Sequence, residues 1–165
     1  MGIKLIKQRG KFKHILKLII NKFVFEPKKF ISNSNAYHSR IFGKLHITDT
    51  VLTEYKQPIP DWIDIVDLKT DIHKGLSGFL DPGEATSIAL ASEYEESLLI
   101  IDEIKGRKAA KNMGISVTGS LGVLVATKNK GHIQAVKPLI EKIQKTNFRI
   151  SEELIERILN KVNES

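Results

Sequence analysis

Apolar residues fall along this chain in two kinds of run. Short unbroken runs, Leu98-Leu99-Ile100-Ile101 above all, read as strands buried on both faces. Longer stretches with apolar residues every three or four positions read as helices. From residue 82 to 130 the two kinds alternate. A helix over 82–96 opens at Asp81, with Pro82 at the first helical position and Glu84 at the capping-box spacing. Strand 98–101 follows, then a helix over 103–113 that stops at Gly114. Ile115-Ser116-Val117-Thr118 reads as a further strand, and Ser120 as the cap of a helix over 121–130 that stops at Gly131. Helices over 135–145 and 151–162, the second capped by Ser151, finish the pattern. Alternation of this kind predicts an α/β fold with a parallel sheet covered by helices.

The pattern is weaker upstream. Residues 11–24 place Phe12, Ile15, Leu16, Ile19 and Phe23 at helical spacing with lysines opposite, which predicts a basic amphipathic helix ended near Pro27. Phe30-Ile31-Ser32-Asn33-Ser34 and Gly43-Lys44-Leu45-His46-Ile47 read as short strands, with Lys22–Phe25 as an alternative first strand. A helix over about 49–57 takes Thr48 or Asp49 as its cap, and a strand lies near Ile63–Leu68. Residues 69–81 read as loop.

Composition changes this picture little, but charge changes it more. With 165 residues, 41% hydrophobic and 27% charged, the chain is long enough and apolar enough for one domain with its own core. The net charge of +7 is not spread evenly: residues 1–29 hold nine Lys/Arg and a single acid, Glu26. The division expected is therefore a basic arm over 1–29 and a nearly neutral body over 30–165. Such an arm suits a phosphate backbone, an anionic surface or a protein partner. No segment approaches the ~20 apolar residues of a membrane span. Cysteine is absent, which removes disulfides, thiolate metal sites and cysteine nucleophiles. Together these suit a cytoplasmic protein.

Chemistry is left to carboxylates. Asp102 follows strand 98–101 at its carboxyl end, the edge where open α/β sheets place ligands. Glu84 lies in the first turn of the preceding helix, and Glu54 on the early helix. Each has an ordinary reading: a capping-box acid, a helix N-cap and an exposed helix acid, respectively. The five histidines lack the pairing that would hold zinc, and neither a nucleophile elbow nor a phosphate loop occurs. Arg107 and Ser120 are candidates for binding phosphate, the latter at a helix start. Carboxylates converging without His or Cys suit Mg²⁺ or Mn²⁺ and metal-assisted phosphodiester hydrolysis.

Four segments then resemble a known family. Leu80-Asp81-Pro82-Gly83-Glu84-Ala85-Thr86-Ser87-Ile88-Ala89-Leu90-Ala91 is similar to its Gly-Glu-Ala helix. Leu98-Leu99-Ile100-Ile101-Asp102-Glu103 with Gly106-Arg107-Lys108-Ala109-Ala110, then Val117-Thr118-Gly119-Ser120-Leu121-Gly122-Val123-Leu124, match its next two motifs. Phe148-Arg149-Ile150-Ser151 resembles the motif near its end. The chain is in these respects similar to the DUF3368 group of predicted PIN-domain proteins, relatives of the VapC-like ribonuclease toxins. The resemblance implies a PIN-like three-layer α/β/α fold with a mostly parallel sheet, and a metal site built from Glu54, Glu84 and Asp102. It implies RNA as substrate and an antitoxin protein as partner; apart from the resemblance, the amphipathic arm also suits docking on a protein partner or on a second copy of the chain, a homodimer. The N-terminal part departs from the pattern: PIN proteins start with a strand ending in Asp, and here Asn33, or alternatively Glu26, stands nearest to that position.

Overall fold

The computed structural model describes residues 3–7, 45–56, 58, 59, 63–145 and 149–164. The helix expected over 11–24, the strands expected at Lys22–Phe25 and Phe30–Ser34, and the residues Glu26 and Asn33 lie outside them. The described elements run β1 (Ile3–Lys7), β2 (Leu45–Ile47), α1 (Asp49–Tyr55), β3 (Ile63–Ile65), α2 (Ile72–Leu76), α3 (Pro82–Ser92), β4 (Ser97–Ile101), α4 (Ile104–Asn112), β5 (Ser116–Thr118), α5 (Ser120–Asn129), α6 (Lys137–Gln144) and α7 (Glu152–Lys161).

The strands form one sheet in the order β3-β2-β1-β4-β5, and every pairing is parallel. The central strand comes from an unexpected place. Ile3–Lys7 belongs to the stretch read as a basic arm, yet it pairs with β2 on one side and β4 on the other. Its register sets Lys7 opposite Ile101, so both strands end at the same edge. Lys4 and Lys7 interrupt the apolar run that a central parallel strand normally shows.

Alternation along β4 divides the core. Leu99 and Ile101 point to one face, packing with Ala85, Ile88 and Leu90 of α3 and Ala110 of α4. Ile100 points to the other, packing with Leu45 and Ile47 of β2, Val51 of α1 and Val123 of α5. The helices α6 and α7 pack onto α5 through Leu139, Ile140, Ile143, Ile158 and Val162. Two layers of helix thus flank the sheet, which is the three-layer α/β/α arrangement expected. None of the described helices is long and apolar enough to cross a membrane.

Local signals explain most of the element ends. Thr48 caps α1, its hydroxyl accepting from Val51 N at 3.3 Å, and Ser151 caps α7 by accepting from Leu154 N at 3.3 Å. Gly114 ends α4 in a left-handed conformation, φ 75°. Three boundaries differ from expectation. The helix expected to reach residue 96 stops at Ser92, with Glu93 as its C-cap, and the Glu93 Oε1 accepts from Lys69 N at 2.7 Å and Thr70 N at 2.9 Å. Those contacts fix a segment expected as loop, in which α2 forms. Ser120 is the first residue of α5 and Gly119 its cap, for a reason given below.

Glu164 closes the outer layer. Its carboxylate accepts from Val136 N at 2.7 Å and Lys137 N at 2.8 Å, amides at the start of α6. Lys128 Nζ pairs with the same carboxylate and donates to Val162 O at 2.8 Å. Burial pushes the Glu164 carboxyl up, but Lys128 and the two amides outweigh burial and hold it below the usual glutamate range. A carboxyl lowered in the native state stabilises the fold above its unfolded pKa, and loses that effect as pH falls through its native value. Glu164→Ala is therefore expected to cost about 1 kcal/mol at neutral pH, the scale of a lost helix cap. The gap in thermal midpoint between the variant and wild type should narrow in acid; a gap independent of pH would contradict the assignment.

Candidate active site

The start of α3 gathers two acids. Pro82 presets the helical backbone, and Glu84, at the third helical position, turns back so that its Oε2 accepts from Asp81 N at 3.4 Å. Its residue is only 3% exposed, unusual for a glutamate. Glu54, in the last turn of α1, reaches across so that its Oε1 accepts from Gly83 N at 3.0 Å. That amide belongs to the helix start, where N–H groups lack partners within the helix and the dipole favours negative charge.

The third acid follows β4. Asp102 Oδ1 accepts from Ser120 N at 2.8 Å, and Oδ2 accepts from the Ser120 hydroxyl. A carboxylate at the end of one strand thus satisfies the first amide of the helix after the next. This contact shifts the role of Ser120. The residue is fully buried and gives both of its donors to Asp102, so it positions a carboxylate rather than offering those groups to a phosphate. The cap of α4 falls to Glu103, not Asp102. Arg107 Nη1 donates to Ile101 O at 2.8 Å, tying α4 to the last carbonyl of β4.

Two glycines connect these groups. A Cβ on Gly106 would collide with Ile101 Cδ1 and lie 3.6 Å from Glu84 Cδ. A Cβ on Gly119 would lie 2.7 Å from Asp102 Oδ1 and 3.3 Å from Arg107 Nη1. Glu84 and Asp102 therefore both lie close to the segment Ile101–Arg107 at the carboxyl edge of β4, packed where neither glycine leaves room for a side chain. In the sequence Gly119-Ser120 leads into a helix and suggests weak anion binding there, not a seat for Asp102, and nothing sets Gly106 apart. A cavity of about 570 Å³ lies at the other end of β4 and β5, lined by Ser97, Leu98 and Ser116 among others, and touches none of the three acids.

Electrostatics separate Asp102 from an ordinary surface acid. Burial raises its pKa above the usual aspartate value, and the Ser120 hydroxyl and amide and the Arg107 guanidinium offset this only in part. Among the described residues, no three His, Cys, Asp or Glu side chains gather closely enough to hold a metal ion by themselves.

The sequence model of DUF3368, described as a PIN domain, matches residues 33–164. The chain belongs to this PIN-domain family. No curated protein and no solved structure matches it. In this PIN domain the matched segment opens at Asn33, and β1 precedes it. The described residues of β1, Ile3–Lys7, pair with β4 as far as Lys7 opposite Ile101 and include no acid.

A raised aspartate pKa has a definite sign. The native state holds the proton to higher pH than the unfolded chain, so stability falls as pH rises from the unfolded pKa through the raised native one. Asp102→Asn removes that cost and keeps an oxygen for Ser120 N. It is expected to be as stable as wild type at neutral pH or up to about 1 kcal/mol more so. Denaturant melts from pH 4 to 8 check this (roughly the aspartate and near-neutral range): wild type should lose stability relative to the variant as pH rises. A constant difference would mean that Asp102 titrates as an exposed acid.

Proposed function

We propose that this PIN domain is a ribonuclease that hydrolyses RNA phosphodiester bonds with Mg²⁺ or Mn²⁺. The observation that supports it most is the placement, near one sheet edge, of a buried glutamate and a desolvated aspartate, each packed close to a glycine. This donor set fits a hard cation. Mg²⁺ keeps several waters and takes only one or two protein carboxylates together with substrate phosphate. Glu84 and Asp102 are the residues that would hold it, with Glu54 at the rim. When bound, the cation would lower the pKa of a water and offset charge on the phosphate oxygens.

The chain's own groups have separate tasks in this reading. Ser120 fixes the Asp102 carboxylate by a hydrogen bond to each oxygen, so the carboxylate is oriented before any ligand arrives. Burial makes the ionised carboxylate costly, and a nearby positive charge repays that cost. Arg107 spends one of its N–H groups on Ile101 O, and its remaining donors suit a phosphate oxygen. The biological form we propose is the toxin of a toxin–antitoxin pair, acting in the cytoplasm, with an antitoxin protein as partner and a homodimer as candidate assembly. Its support is the family and the likeness to VapC-like toxins. A second reading has one observation in its favour. The strand beside β4 carries no acid at its end, which suits a PIN fold kept for nucleic-acid binding or docking without catalysis.

Cleavage of a labelled RNA by the full chain distinguishes the two. Wild type should cleave with Mg²⁺ or Mn²⁺ and not with chelator. Glu84→Gln should fold, costing at most about 1 kcal/mol, and lose on the order of a hundredfold or more in rate. RNA bound but not cleaved by wild type with either cation would establish the second reading.

A further inference from the structure

We propose that the solvent face of α4 is the track along which the RNA backbone leaves the carboxylate site, its phosphates held by Lys105, Lys108 and Lys111. The inference rests on RNA as the substrate and does not depend on cleavage. The three lysines are exposed and stand three residues apart on one helix. Residues at that spacing are neighbours on a helix surface. At a rise of about 1.5 Å per residue, the row covers roughly 9 Å of the helix axis. Gly106 and Ala110 are the buried residues of α4, so the row faces away from the core.

The fold gives no reason for this row. α4 carries Lys105, Arg107, Lys108 and Lys111 and no acid, although the body of the chain is nearly neutral. Like charges about one turn apart repel, and a cation in the first helical turn, such as Lys105, opposes the helix dipole. Other exposed cations meet an acid one turn away: Lys74 pairs with Asp71 and Arg157 with Glu153, each at 2.8 Å. Lys105, Lys108 and Lys111 form no ion pair among the described residues. The residues outside that set hold only two acids, Glu26 and Asp61. A row of charges that costs the helix stability is offset by a ligand with negative charges in a row.

Position selects the phosphate backbone among anionic partners. α4 begins directly after Asp102-Glu103 and links the carboxyl end of β4 to the start of β5, which is parallel to it. The row therefore starts at the site and runs back from the carboxyl edge of the sheet. Arg107 joins the two: a Cβ on Gly119 would lie 2.7 Å from Asp102 Oδ1 and 3.3 Å from Arg107 Nη1, so carboxylate and guanidinium are neighbours. A lysine ammonium is a point charge, which suits successive phosphates and reads no sequence. Ile104, 78% exposed, stands at the site end of the row, where a base would cover it. A protein surface would instead call for a cluster of apolar or aromatic anchors, which this face lacks.

Fluorescence anisotropy of a labelled single-stranded RNA, titrated with the full chain in chelator at rising salt, tests this without cleavage. Lys105→Gln, Lys108→Gln and Lys111→Gln are combined in one variant. Lys137→Gln, Lys142→Gln and Lys145→Gln, exposed on and beside α6, remove the same charge elsewhere as the control. The α4 variant should bind on the order of tenfold more weakly at low salt, and its log–log salt slope should fall by about 2, three contacts at about 0.7 each. The control should keep the affinity and slope of wild type. The thermal midpoint of the α4 variant should equal or exceed that of wild type, because Gln is a comparable helix former and the repulsion is gone. Affinity and slope equal to wild type, an equal loss in the control, or a wild type that binds no RNA would each overturn the proposal. A lowered midpoint would overturn it too, by showing that the fold needs these lysines. Polyglutamate bound as tightly as RNA would overturn it in favour of an acidic protein partner. Cleavage is assayed separately. Wild type that binds through α4 but cuts with neither cation removes the nuclease reading and leaves this inference, whereas cutting with an unchanged slope in the variant does the reverse.

Discussion

The link between Asp102 and Ser120 is the contact on which the site depends. It joins the last turn of chain after β4 to the first residue of α5, two elements that β5 and α4 separate in sequence. One carboxylate does two things there. It satisfies a helix-start amide that would otherwise lack a partner, and it is held at the sheet edge in a partly dry setting where its charge is costly. A structural acid would be paired with a cation to relieve that cost. Here the nearby guanidinium of Arg107 is drawn to a backbone carbonyl, and burial still prevails over its attraction. A carboxylate kept uncomfortable by its surroundings is poised for a positively charged ligand.

Glu84 shows the same tension in another form. Its capping geometry explains why a glutamate stands at the start of α3, and nothing more is needed for the helix. Its burial and its position against Gly106 go beyond a cap, which works equally well at a surface. Glu54, by contrast, is exposed and accepts from Gly83 N at the helix start. The two roles of Glu84, cap and candidate ligand, do not conflict, because a carboxylate oxygen that accepts a hydrogen bond keeps lone pairs for a cation.

Much of this was legible in the sequence, and the rest was hidden for physical reasons. The alternation from 82 to 130 gave the parallel sheet, since burial on both faces leaves a strand no polar positions and Leu98–Ile101 has none. The start of α3 could be read from Asp81-Pro82 and Glu84 because capping is local. The partner of Ser120 could not, because it lies 18 residues away and only the fold brings the two together. The same holds for Glu54 and Gly83, 29 residues apart. The central strand was concealed by Lys4 and Lys7, which made Ile3–Lys7 look like part of a solvated arm. The short helix α2 was concealed by Gly75, Ser77 and Gly78 around it, and exists because it packs under α3 and is fixed by Glu93.

The central claim is that Glu84 and Asp102 together hold one divalent cation. Electron paramagnetic resonance of Mn²⁺ titrated into the protein measures this without any substrate. Wild type should take up one Mn²⁺ per chain in a saturable step, and Mg²⁺ should displace it. Glu84→Gln and Asp102→Asn, each confirmed as folded, should each abolish that step. Saturable binding of equal stoichiometry and affinity in wild type and both variants would place the cation elsewhere and contradict the account.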